Sequence, residues 1–461
     1  LETTAVKHES LTPAQARYLA DFTASYVART RGSQQRREET WPALADARSS
    51  QGLFASTPPR AQAAWRQQKA LRYPIVATRA DGAQVWDIDG NVYTDFCLGF
   101  GVHLFGHRPP FLQAALADQL GAGLPIGFQS DRANQVARAV VAMTGMERVA
   151  FCNTGAEAVM GALRLARAVT GRDRVVCFAH AYHGSYDATL PAIDMRAGLS
   201  AGQRDDVLVL EYGAPASLDA IAEGSGRIAA VIVEPVQARS PSLQPVEFLR
   251  ALRTLTRDRD IALVFDEVLL GFRIHQGGCQ AHFGLCADLA TYGKILGGGL
   301  PIGVIAGGER FLNRIDGGRW HHAGDSLPAT DKVWFAGTFT KNPLTMAAAA
   351  AITTELLQRG PGLQETLNAR TAGLCQRLND WLAGERFPVK LEPFGSLFRL
   401  AAAPELWPLL LHLRLRGIYA FDGMTFFLAT SHDDGALAQL EDALKDSLLS
   451  MRAGGYLPTP S

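Results

Sequence analysis

Between Arg148 and Asp266 the chain repeats one pattern. A short apolar run with strand character is followed by a helical stretch, and then by another strand. Strands are predicted at Arg148 to Cys152, Arg174 to Ala179, Val207 to Glu211, Ala229 to Glu234 and Ile261 to Asp266. A helix from Ala156 to Thr170, stopped by Gly171, joins the first two. Such alternation specifies an α/β architecture with a mostly parallel sheet covered on both faces. In open sheets of this kind ligands sit beyond the carboxyl ends of the strands. The polar residues following Cys152, Ala179, Val233 and Phe265 all fall at those ends.

The flanks read differently. Thr12-Pro13 is an N-cap and first helical residue, and Arg31-Gly32 a stop; between them Tyr18, Phe22 and Tyr26 form one apolar stripe that must dock on something. Residues 33–70 are polar without a period and are expected to wrap the surface. From Tyr73 to Phe96 the chain reads as a small β meander with turns at Asp81-Gly82 and Asp89-Gly90. Asn342-Pro343 opens a long alanine-rich helix, and shorter helices and strands follow Gly360. The expected division is an N-terminal helix and wrapping segment (1–72), a meander contributing to the small domain (73–109), a large domain (110–359), a small C-terminal α+β domain (360–454) and a linker-like tail (455–461). The start at Leu1 and the tail Arg452 to Ser461 suggest a piece excised from a longer polypeptide, or a trimmed chain.

Forty-five basic residues balance forty-five acidic ones, which argues against nucleic acid or an anionic membrane as partner. The longest apolar run, Met346 to Ile352, is too short for a membrane span. Six cysteines without metal or disulfide spacing fit a reducing cytoplasm. No metal is expected, because the adjacent His321 and His322 cannot easily face one site and have no partner at ligand spacing.

The chemistry concentrates around Lys294. It lies in an apolar, glycine-flanked stretch, Tyr292-Gly-Lys-Ile-Leu-Gly-Gly-Gly-Leu-Pro301, 28 residues after Asp266 at the end of an apolar strand. A Schiff-base lysine must be neutral part of the time, which desolvation favours. An aspartate can pair with the pyridinium nitrogen of pyridoxal phosphate (PLP) and keep the ring an electron sink. Asn153-Thr154-Gly155-Ala156 joins a strand to a helix, where free N–H groups and the helix dipole suit a phosphate. By itself it is also an ordinary turn and cap; beside the lysine–aspartate pair the phosphate reading prevails. Tyr182-His183 offers a ring to stack on a heteroaromatic, or is a surface tyrosine beside a solvated histidine. Gln237 could donate to a phenolic oxygen with Glu234 fixing its loop, or both are polar residues after a proline-terminated strand. Thr338 could donate to an anion, or merely cap a helix.

Together these segments resemble the class III PLP-dependent aminotransferases of aspartate-aminotransferase-like fold (fold type I). The resemblance is to the glutamate-1-semialdehyde aminomutase branch, and most of all to aminotransferase domains of hybrid polyketide–nonribosomal peptide synthetases. It is carried by Gly99-Phe-Gly-Val-His-Leu-Phe-Gly-His107, Thr144 to Gly155, Phe265-Asp-Glu-Val268, Gly271-Phe-Arg273 and Gln280-Ala-His-Phe-Gly284, and spans roughly Leu11 to Gly454. It implies that Lys294 is the Schiff-base lysine and proton shuttle, and that Asp266 binds the ring nitrogen. Val268 packs one ring face and Tyr182 the other, with His183 close by. Gly155 and Ala156 hold the phosphate, Thr338 reaches it from the partner of a homodimer, and Gln237 contacts the phenolic oxygen. Ala156 stands where many relatives have a hydroxyl residue. Arg239 stands where relatives acting on ω-amines often carry glutamate, and could pair with a donor carboxylate or be a surface loop residue.

Three functions remain open at this level. One is transamination from an amino acid to a β-keto acyl chain held as a carrier-protein thioester. The second is an intramolecular aminomutase. The third is a catalytically silent docking module, disfavoured by the intact lysine, aspartate and phosphate loop.

Overall fold

The computed structural model describes residues 12–46, 66, 68–402, 406–421 and 424–457. Part of the expected wrapping segment and the end of the tail lie outside them.

The first helix, Pro13–Arg29, starts as the sequence specifies. Thr12 Oγ1 accepts from Gln15 N and Gln15 Oε1 from Thr12 N, a capping box that satisfies two end donors. Its stripe docks on the helix Pro408–Leu415, where the Phe22 ring stacks on His412 at 4.1 Å and Tyr18 Oη meets His412 Nε2 at 2.7 Å. Gly32 does not stop the helical course. A second helix, Arg31–Thr40, occupies part of the stretch expected to wrap without structure. The reason is a cap supplied from elsewhere: the Asp89 carboxylate accepts from Gly32 N at 2.6 Å and Ser33 N at 3.1 Å.

Asp89 belongs to the meander of β1 (Ala77–Asp81), β2 (Gln84–Asp87) and β3 (Val92–Asp95). The central sheet holds β4 (Arg148–Cys152), β5 (Arg174–Phe178), β6 (Val207–Leu210), β7 (Ile228–Val233), β8 (Ala262–Asp266), β9 (Leu289–Tyr292) and β10 (Gly303–Gly307), in the order 4-10-9-8-7-5-6. A third sheet contains β11 (Val389–Phe394), β12 (Leu397–Ala402) and β14 (Thr425–Phe427), while β13 (Ile418–Tyr419) pairs in parallel with β3 and joins the meander to the C-terminal region.

In the central sheet β6, β5, β7, β8 and β9 are parallel neighbours; β10 runs antiparallel to both β9 and β4. Two reversals return β4 to the common direction, so the chain leaves β4, β5, β7, β8 and β9 at one edge. β7 and β8 are buried at every residue, as a strand covered on both faces requires. Among the described residues no helix is long and apolar enough to cross a membrane.

Candidate active site

Asp266 ends β8 and lies beside Thr291 of β9 in the parallel register. Its Oδ1 accepts from Val268 N and Thr291 Oγ1, both at 3.1 Å, and its Oδ2 lies 2.7 Å from His183 Nδ1. These partners fix the plane of a nearly buried carboxylate and leave part of Oδ2 for a further donor. His183 Nε2 is buried with no hydrogen-bond partner among the described residues, an orphan of the kind that marks a ligand's place.

Lys294 opens a tight turn, Lys294–Gly297, just after β9, with its own φ at 40°. Such a conformation in a residue bearing a side chain is retained where the surroundings over-determine it. Burial pushes its ammonium pKa down; the Asp266 and Glu234 carboxylates pull it back up, and Arg273 adds to the depression. Burial dominates, so the neutral amine needed for Schiff-base chemistry is favoured.

The helix Gly155–Thr170 leaves β4 with Thr154 as its N-cap, whose hydroxyl accepts from Glu157 N at 3.1 Å. The Glu157 carboxylate turns back to Asn153 N at 2.7 Å. The N–H groups of Gly155 and Ala156 have no acceptor within the helix, so they and the dipole offer a place to an anion. Two close approaches shape this cradle. A Cβ on Gly155 would lie 2.8 Å from Val268 Cγ1, so Val268 is pressed onto the helix start. Gly184, at φ 83°, brings the Tyr182-His183 loop so near that its own Cβ would fall 2.7 Å from Ala156 Cβ.

That loop is fastened at three points: Gln237 Nε2 donates to Ala179 O at 2.9 Å, Glu234 Oε2 accepts from Tyr182 N at 3.0 Å, and His183 meets Asp266. Burial raises the Glu234 pKa to about 7; the charges of His183 and Lys294 and the Tyr182 N–H oppose the rise, and Asp266 adds to it. One Gln237 amide hydrogen is thus already committed to the backbone, leaving the other for a ligand. Tyr182 itself is half exposed.

Thus Lys294, Asp266, Val268, Gly155, Ala156, Tyr182, His183, Glu234 and Gln237 meet at one sheet edge. Thr338 is exposed; the neighbouring Gly337 lies near Asn153. Arg239 is also exposed, on the loop after β7. Two residues escaped the sequence reading. Thr291 is a strand threonine with no local signal, visible only once β9 pairs with β8. Arg399 on β12 has its pKa lowered by burial and by the charge of Arg239, against the pull of Glu392 on β11. Nothing in the sequence couples positions 160 residues apart.

A lysine whose charged form burial disfavours, an oriented carboxylate with two strands between it and a helix-borne anion cradle, and a stacking ring fit PLP group by group. The fold and site define a PLP-dependent transferase of fold type I. The chain belongs to the class-III aminotransferase family, whose profile ("Aminotransferase class-III") matches residues 66–399. It is 38% identical over 339 residues to a glutamate-1-semialdehyde 2,1-aminomutase of Thermomicrobium roseum, covering 71% of this chain and 76% of that one. The aminomutase of Methanocella arvoryzae is 32% identical over 413 residues, covering 82% and 93%. Among solved structures, a beta-phenylalanine aminotransferase from Variovorax paradoxus superimposes with a TM-score of 0.81 at 26% identity, covering 97% of this chain and all of that one. The protein is accordingly a PLP-dependent aminotransferase-family enzyme.

Proposed function

We propose that the enzyme moves an amine from an amino-acid donor to a keto acceptor, presented as a β-keto acyl thioester on a carrier protein, in polyketide or peptide natural-product biosynthesis. The observation offered for the intermolecular reading is a like-charge pair: the charge of Arg239 lowers the Arg399 pKa further than burial alone, against the opposing pull of Glu392. One comes from the loop after β7 and the other from the C-terminal sheet, and neither forms an ion pair among the described residues. Two guanidinium groups that repel one another are stabilised together by a carboxylate, which an amino-acid donor brings and a thioester lacks. The β position of the acceptor is supported by the name of the Variovorax paradoxus neighbour, and the carrier is what the sequence resemblance implies.

PLP, when bound, supplies a carbonyl for the amine and a ring that stabilises the carbanion next to nitrogen. Gly155 N and Ala156 N would hold its phosphate, with Thr338 of a second copy adding a hydroxyl. Asp266 would pair with the ring nitrogen, and Val268 and Tyr182 would enclose the ring. Lys294 Nζ takes a proton from the substrate carbon and returns it one position away, as a neutral amine held in a desolvated place can. The homodimer reading is supported by the large apolar side chains left exposed at Phe128, Leu327 and Trp334, at 78%, 85% and 82%. Six free cysteines, five of them buried, fit a reducing cytoplasm.

A second reading, an intramolecular aminomutase, is favoured by the names of the sequence relatives. The two are separated by 15N-labelled amino acid and an unlabelled acceptor: intermolecular transfer puts the label in the product, and an aminomutase leaves it in the donor. Borohydride should fix PLP on Lys294; fixation on another lysine would overturn the site.

A further inference from the structure

Arg273 closes the stretch Gly271-Phe-Arg273 and is fully buried. One of its terminal nitrogens, Nη1, donates to Ser396 Oγ and Leu428 O, both at 3.0 Å, and the other, Nη2, to Gly101 O at 2.6 Å. Ser396 precedes β12 and Leu428 follows β14, so the loop after β8 is tied to the C-terminal sheet. Gly101 ends a run of left-handed backbone, Leu98 to Gly101, with φ values of 48°, 62°, 60° and 82°. Such a run, with a leucine and a phenylalanine in it, must be held from outside. The planar fork of an arginine reaches all three acceptors at once.

Every one of those acceptors is a neutral oxygen. Among the described residues no carboxylate pairs with Arg273, and its Nε is buried without a partner. The Phe427 ring lies 5.1 Å from the guanidinium carbon. Burial lowers the Arg273 pKa to about 9, so the group stays charged at neutral pH. A buried ion without a counter-ion is costly, and carbonyl dipoles and a ring face offset only part of that cost.

Two contacts carry these surroundings to Lys294. The Phe272 ring packs on Tyr292, two residues before Lys294, at 5.0 Å between ring centres, and a Cβ on Gly271 would stand 2.6 Å from the same ring. From the other side His103 fills the space between Gly99, in the left-handed run, and Gly299, five residues after Lys294. His103 is neutral, its pKa lowered to about 4 by burial and by His107 against the pull of Asp95. Burial disfavours the Lys294 proton most; the Asp266 and Glu234 carboxylates favour it, and Arg273 disfavours it further.

We infer that Arg273 is a positioning residue of the amine transfer: the left-handed run and the C-terminal sheet lock it in place as the fixed, unneutralised positive charge against which the Lys294 amine is set. Asp266 and Glu234, which the ring and its loop require, work against a neutral amine; Arg273 opposes them from a fully buried place. The inference rests on Lys294 as the reacting amine, which borohydride fixation tests separately. At an effective dielectric constant near 20, a fixed unit charge roughly 10–15 Å away changes an amine's proton affinity by about 6- to 16-fold.

Trace labelling of the whole chain, free of PLP, with acetic anhydride over a pH series tests this, because only the neutral amine reacts; acetylation of Lys294 is followed by mass spectrometry. Ser396→Asp sets a carboxylate against Nη1, keeping the clasp and neutralising the charge. Arg273→Met removes both, and Ser396→Ala removes one bond while keeping the charge. Where labelling still rises with pH, Ser396→Asp and Arg273→Met should label Lys294 about 6- to 16-fold more slowly than the wild type, and Ser396→Ala like the wild type. With PLP bound, the first two variants should also move the pH midpoint of the cofactor's absorbance change upward. Labelling profiles of Ser396→Asp and Arg273→Met that coincide with the wild type overturn the inference. So does slowing by Ser396→Ala equal to that by Ser396→Asp, which makes Arg273 a structural clasp alone. If Arg273→Met does not fold, Ser396→Asp decides, since it retains the guanidinium. Borohydride fixing PLP on another lysine, with the labelling shift intact, overturns the site and leaves the effect of the charge on Lys294 standing.

Discussion

Replacing Gly184 by alanine tests whether the Tyr182-His183 loop and the helix start at Gly155 form one cradle. Two costs arise. At φ 83° an L side chain is strained by roughly 1–2 kcal/mol. The added Cβ would also stand 2.7 Å from Ala156 Cβ and 2.9 Å from Ala156 Cα, and a helix backbone cannot yield as a side-chain tip can. Overpacking of this kind costs about 1–3 kcal/mol. The cheapest relief is for the loop to lift from the helix, breaking the Tyr182 N to Glu234 bond and turning His183 from Asp266. The strain therefore falls on the holo state, and PLP affinity should drop by roughly 30- to several-thousand-fold for about 2–5 kcal/mol. Absorbance titration of PLP into the apo-protein measures it. Ala156→Gly removes one of the clashing atoms. In the double variant it should return part of the loss, the coupling of two touching residues, while the φ strain remains. If Gly184→Ala binds PLP like the wild type, or if the two changes simply add, loop and helix do not cooperate and the reading fails.

Other outcomes follow from the same geometry. Arg239→Ala should weaken the half-reaction with the amino-acid donor by about 10- to 150-fold, the worth of one charged hydrogen bond at roughly 1.5–3 kcal/mol, and largely spare transfer to the acyl acceptor; equal loss in both half-reactions, followed by cofactor absorbance, would return Arg239 to the surface. Glu234, raised to about 7, keeps its proton in the fold over a range where the unfolded chain has released it, so its contribution makes stability fall as pH rises from about 4.5 to 7. Glu234→Gln keeps an acceptor for Tyr182 N and should flatten that fall by a few kcal/mol in denaturant titrations of the apo-protein; an unchanged slope refutes the assignment. Trp334→Glu should shift the sedimentation profile from dimer to monomer and weaken PLP binding with it, because Thr338 would then be lost from the neighbouring site; a PLP-saturated active monomer would contradict the shared site.

The amino-acid order determined the strands and helices of the central region. Burial on both faces makes β7 and β8 continuously apolar, and the caps at Thr12, Thr154 and Asn342 are local signals that need nothing distant. It also singled out Lys294 and Asp266, since a lone lysine among glycines and apolar residues is costly unless it is used. Pairing order was not local. That β10 inserts in reverse between β9 and β4, and so leaves Gly155 at the same edge as Asp266, depends on long-range register. The second helix, Arg31–Thr40, exists where the sequence read only polar chain because Asp89 caps it from 57 residues away. Thr291 and Arg399 acquired their places in the same manner, one by lying beside Asp266 and the other by coming under the charge of Arg239, 160 residues earlier. Local propensity acts within a few residues of backbone, whereas a carboxylate's partners and a guanidinium's neighbours are fixed by which strands lie side by side, and only the tertiary structure decides that.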